Sequence, residues 1–269
     1  MIGSIFYQTL RRNWRQMLWW GLGMGAVGLA VALIVPNADM LKQYANIMKT
    51  VPPAMLAMLG GEDAVSVSTP TGFLDLIFFS YALLILAGFA VMAGLNITAN
   101  EEESKIMDML LSLPVRRWRL MLERFLAYTL ICLGIVLLTF GGLWLGIKAS
   151  PALAMDEGRL LETTLNLLPS TVLVIAMTML LATLLRNKNI AAAIAAAIIV
   201  SSYFVDSIGR TASDSLANSL RVISFYKYYD STFVIHNGLN WGNVLTLSVV
   251  TIVFVIGSLW FFQRRDIGI

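Results

Sequence analysis

The chain holds one cysteine, Cys132, and one histidine, His236. A lone cysteine cannot close a disulfide within the chain, so no disulfide scaffold is available; set in an apolar run, Cys132 reads as a small hydrophobe. A zincin-type site needs two histidines on one helix, and a Ser-His-Asp relay needs a histidine beside a membrane-embedded serine. His236, alone in an outer loop, supplies neither. Charged residues make up 13% of the 269 positions, about half the roughly 25% of an ordinary soluble domain. With so little charge and 58% hydrophobic residues, disorder is excluded. No G-x-x-x-x-G-K-[ST] run occurs, so no P-loop cradles a nucleotide phosphate. The net charge is only +3. No basic patch alternates with aromatics, and nucleic acid is not an expected partner.

What is present is length of apolar sequence. A helix needs about 20 mostly apolar residues to cross the hydrocarbon core. Six runs qualify: Met17–Val35, Phe73–Ala99, Phe125–Ile147, Leu165–Leu185, Ile190–Ile208 and Val244–Phe262. They lack the alternation of barrel strands, and mean hydropathy is +0.77. The expected fold is an all-α integral membrane protein, a single transmembrane domain over residues 1–269. Six spans put both termini on one side. Of the 19 Lys and Arg, 12 fall in the 52 residues on the terminal side and 7 in the 89 residues opposite. Cytoplasmic loops carry the excess, so both termini are expected in the cytoplasm.

Two amphipathic stretches lie outside these runs. Phe6, Leu10, Trp14 and Met17 recur at helical spacing while Arg11, Arg12 and Arg15 point elsewhere; this predicts an interfacial helix on the inner leaflet, in contact with membrane lipid. Between the second and third spans, Ile106, Met109, Leu110 and Leu113 line one helical face. Glu101, Glu102 and Glu103 precede it, where the helix dipole favours negative charge. Pro114 ends it, and Arg116 and Arg117 follow. An acidic start is repelled by anionic headgroups, so a groove in a partner protein is the expected receptor. On the opposite side, loop 36–72 carries a pattern for two short helices broken at Pro52 and Pro53.

Gly23, Gly25 and Gly28 spell G-x-G-x-x-G inside an apolar span, without the strand and acidic residue of a dinucleotide site. Gly21 and Gly25 also form G-x-x-x-G, which points to close helix packing. Asp75 and Asp206 are the acids within spans. Ionisable groups there mark pathways, although both lie near outer ends, where hydration alone would account for them. The sequence around Asp206 lacks the Gly-x-Gly-Asp of intramembrane aspartyl proteases.

The run from Glu101 to Arg117, with its acidic start, short apolar helix, Leu-x-x-Pro and arginines, resembles the coupling segment of ABC-2 type permeases. Pro52–Pro53 with Leu59–Gly60, Gly72–Phe73 at the head of the second span, and the ending Phe262 to Ile267 are similar to that family too. Lys105–Ile106 stands where many relatives have Gly-Thr. The resemblance extends over the whole chain. It implies the transmembrane subunit of a bacterial ATP-driven exporter in the cytoplasmic membrane, paired with a second permease copy or a homologous permease. Two ATPase subunits would sit below, and ATP and Mg would be bound by them, with no cofactor on this chain. Glu101, Glu102, Glu103, Ile106, Met109, Leu110, Leu113, Pro114, Arg116 and Arg117 would form the coupling site. Asp75 and Asp206 would lie near a pathway at the permease–permease interface. The alternative is an ion-coupled carrier using Asp75 and Asp206. It calls for midplane charges and internal repeats, and neither is evident.

Overall fold

A computed structural model describes residues 4–35, 69–98, 117–150, 155–185, 187–211 and 219–264, together with Met40, Leu41, Gln43, Asn46, Ile47, Thr50 and Leu153. The described residues are helical throughout their regular elements, and six helices are long and apolar enough to cross a membrane. They are α1 (Ser4–Ile34), α2 (Pro70–Ile97), α3 (Arg117–Ala149), the pair α4 (Glu157–Leu165) and α5 (Leu167–Leu184), α6 (Lys188–Thr211) and α9 (Trp241–Arg264). Two short helices, α7 (Tyr226–Tyr229) and α8 (Ser231–Asn237), precede α9.

Each span is longer than its apolar run, because helix formation does not stop where charge begins. The first two turns of α3 hold Arg117, Arg119, Glu123 and Arg124 and remain helical. The N-terminal amphipathic stretch is helical as its periodicity predicts, but it is not a separate helix lying in the interface. With no proline, and no glycine before Gly21, nothing breaks the 31-residue helix α1. The outer-loop pattern at 36–72 lies almost wholly outside the described residues. So do positions 99–116, which carry the predicted coupling helix.

Glycine decides how α1 meets α3. A Cβ on Gly142 would collide with the Gly25 backbone, and one on Gly25 would sit 2.9 Å from the Leu138 carbonyl oxygen. Gly21 and Gly28 face the side chains of Leu138 and Leu143, and Gly146 faces Ala32. The G-x-x-x-G pattern is thus a packing seam, as small residues allow backbones to approach. Gly94 plays the same part between α2 and α5, against Thr178. Helix α5 is the most buried span, and it packs against α2, α6 and α9.

At the end predicted to be cytoplasmic, three helix termini are tied together. Arg124 is buried and donates to the Ile97 carbonyl in the last turn of α2 (3.2 Å). A cation suits the negative end of a helix. Glu123 accepts from Arg119 (3.0 Å) and from the Phe6 amide in the first turn of α1 (3.3 Å). It thereby satisfies a backbone donor that has no partner within its helix.

Candidate functional site

At the opposite end, short helices fill part of the connection between α6 and α9. Residues 219–237 turn back onto the bundle through a 3-10 turn (Arg221–Ile223), α7 and α8, burying Phe225, Tyr226, Tyr229, Val234 and Ile235. Asp230 adopts a positive φ of 25° and caps α8 by accepting from the Phe233 amide (3.2 Å). Gly238, at φ 91°, ends it in a conformation that favours glycine, with the Arg159 and Glu162 side chains packed against its Cα. The register of this cap is therefore set at both ends of α8.

Side-chain bonds fasten the cap to the spans. Tyr229 donates its hydroxyl to the Phe79 carbonyl (3.0 Å), and the Asn166 amide, at the α4–α5 junction, donates to the Tyr229 carbonyl. Burial raises the Tyr229 phenol well above its ordinary range, so the hydroxyl keeps the proton that it donates. Ser224 donates to the Ser202 carbonyl (2.7 Å), and the Phe225 amide donates to the Ser202 hydroxyl (3.2 Å).

The two acids singled out in the sequence both belong to this fastening. Asp75 lies in a π-helical turn, Asp75–Phe79, within α2. Such turns interrupt the α-helical ladder and recur at functional sites. Asp75 is buried and accepts from the Thr232 hydroxyl of α8 (2.7 Å). Asp206 is also buried, with Arg210 one turn on (2.8 Å) and Arg221 of the cap (3.0 Å) on its two carboxylate oxygens. Of the predicted coupling residues, Arg117 begins α3 and the others lie outside the described residues.

Beside the cap, α5, α6, α9 and cap residues such as Ile223 and Phe225 line a cavity of about 580 Å³ that opens at the surface. Its walls are apolar, including Met177, Ile194, Ile198, Leu247, Val250 and Phe254, with hydroxyls at Ser201, Ser224, Tyr228 and Thr246. No charged side chain lines it. This is the size range and polarity of small-molecule sites, roughly 300–1,000 Å³. Neither Asp75 nor Asp206 lines it. Sequence reasoning missed the cap, its anchors Arg221, Tyr229 and Thr232, and the cavity. The available signal was aromatic density: Phe225, Tyr226, Tyr228 and Tyr229 stand within five residues between the last two spans.

Six helices long and apolar enough to cross a membrane define a multi-pass membrane protein. The chain belongs to the family described as "Multidrug efflux system permease Rv1217c, C-terminal domain", whose pattern matches residues 6–263. No match was found among curated proteins. Membership makes the chain a transport permease rather than an enzyme.

Proposed function

We propose that this permease is the membrane subunit of an ABC-2 type exporter, driven by ATP that a separate subunit hydrolyses. Two ATPase copies would lie below a pair of permeases, with ATP and Mg held by the ATPases. The segment from Glu101 to Arg117 would dock in the ATPase. Ile106, Met109, Leu110 and Leu113 would fill its groove, Glu101, Glu102 and Glu103 would orient the helix, and Pro114 would end it. Arg116 and Arg117 would hold the far end at the anionic leaflet, at about 1 kcal/mol each.

The observation that carries this reading is the bond from Arg124 to the Ile97 carbonyl. It joins the end of α2 to the start of α3, the two roots of segment 99–116. A push on that segment then moves both spans as one body, and α2 reaches the cap through Asp75 and Phe79. Family membership supports efflux. The cavity chemistry supports an uncharged, apolar substrate taken from the bilayer, with Ser201 and Thr246 offering hydroxyls for orientation. For the ion-coupled alternative, Asp206 is not free to load and release an ion, being met by two guanidinium groups.

Leu110→Asp tests the assignment. A charge buried unpaired in an apolar groove costs several kcal/mol, roughly. The variant should insert normally, lose ATPase binding and stop transport. Transport by the native chain should fail on ATP depletion and survive collapse of the proton gradient. A Leu110→Asp permease that keeps its ATPase and still transports would refute the coupling.

A further inference from the structure

One face of α1 is left open by the packing described above. Gly21, Gly25 and Gly28 press on α3 or on Phe78, but a Cβ on Gly23 would meet nothing within 4 Å. Glycine inside a helix weakens it, so its presence at a position with no neighbour calls for another reason. Around Gly23 runs an apolar groove of about 370 Å³, bounded by Trp20, Met24 and Val27 of α1 and by Ile85 of α2. Trp19, 78% exposed, is shared with a second groove of about 340 Å³ that Trp14, Arg15, Leu18 and Leu22 complete.

The two grooves make one track from Arg15 to Val27. At 1.5 Å rise per residue it is about 18 Å long, close to half of the roughly 30 Å hydrocarbon core. Its closed end is apolar and its open end is cationic. Arg15 lies over the Trp14 ring at 5.8 Å, and Arg11 stands one turn before it, exposed. No carboxylate of another described residue pairs with either arginine. Guanidinium groups match phosphate geometry, and this is the end of the bundle predicted to face the anionic leaflet.

We propose that this track is a binding site for one anionic phospholipid, its phosphate held by Arg11 and Arg15 and one acyl chain lying over Gly23 between α1 and α2. Charge argues against a second copy of the chain as the occupant. A two-fold axis along the membrane normal would bring the arginines of both copies to the same depth in one interface. The site is independent of the coupling and the cavity.

The test uses the full chain in vesicles of phosphatidylcholine containing a small fraction of bromine-labelled lipid, with tryptophan quenching as the readout. Labelled phosphatidylglycerol should quench severalfold more than labelled phosphatidylcholine at the same fraction. Trp19→Phe should remove most of that excess. Arg11→Gln with Arg15→Gln should make the two lipids equal. Gly23→Phe should reduce the excess without lowering the unfolding temperature, because the added ring enters open space and glycine is the weaker helix former. Equal quenching by both lipids in the native chain, or an excess that survives loss of both arginines, overturns the proposal. So does efficient disulfide dimerisation of Gly23→Cys, which would give this face to a second copy.

Discussion

Arg221, in the cap, places its Nε 3.0 Å from Oδ1 of Asp206, near the outer end of α6. The pair is largely shielded, with side-chain exposures of 20% and 6%, and Arg210 holds the other oxygen. It is therefore a clasp between α6 and the cap beside the cavity, and removing the acid leaves two guanidinium groups close together.

Asp206→Asn is expected to destabilise the protein by about 2–3 kcal/mol, somewhat under the cost of breaking a fully buried pair because the arginines are partly hydrated. A double-mutant cycle with Arg221→Gln should return a coupling of about 1–3 kcal/mol. Thermal unfolding in detergent measures stability, and export assays on the same variants measure transport, which should fall with it. Additive effects would mean that the clasp does not hold the cap.

Filling the cavity should change substrate range before stability. Ala197 lines it and is exposed toward it. Ala197→Phe should lower export of bulky apolar compounds several-fold and affect small ones less, with expression unchanged. Equal export of both sizes would place the pathway elsewhere.

The glycine seam offers a paired comparison on adjacent residues. Gly142→Leu forces a side chain into the Gly25 backbone; overpacking costs about 1–3 kcal/mol where side chains can yield, and here the obstacle is backbone, so about 3 kcal/mol or more is expected. At Gly141 a Cβ meets nothing within 4 Å, and Gly141→Ala should stabilise the helix by up to about 1 kcal/mol. Unfolding temperatures of the two variants should move in opposite directions.

Orientation is open to direct labelling, since Cys132 is fully buried and gives little background. His236 on α8 and Asn189 at the start of α6 are both exposed. An impermeant thiol reagent applied to intact cells should label His236→Cys and leave Asn189→Cys unlabelled. The reverse pattern would invert the topology inferred from the Lys and Arg densities.

Sequence alone determined the spans, because lipid demands a long apolar helix for each crossing and that demand is written locally. It also determined the role of Gly21 and Gly25, since a missing side chain matters wherever a neighbouring backbone comes close. The fate of Asp75 and Asp206 was not legible. Thr232 lies 157 residues from Asp75, and Arg221 lies 15 from Asp206 across a turn of the chain, and no periodicity announces such pairs. The cap was hidden for a related reason. Its helices are too short to show an amphipathic period, and their aromatic residues find cover only once α5, α6 and α9 stand beside them. The G-x-x-x-G spacing marks Gly25 for a seam, but no local pattern says what Gly23 faces. A Cβ on Gly23 would meet nothing within 4 Å while Gly25 touches α3, and only the rotation of α1 about its own axis, fixed by its packing partner, decides which glycine closes a seam and which opens a groove.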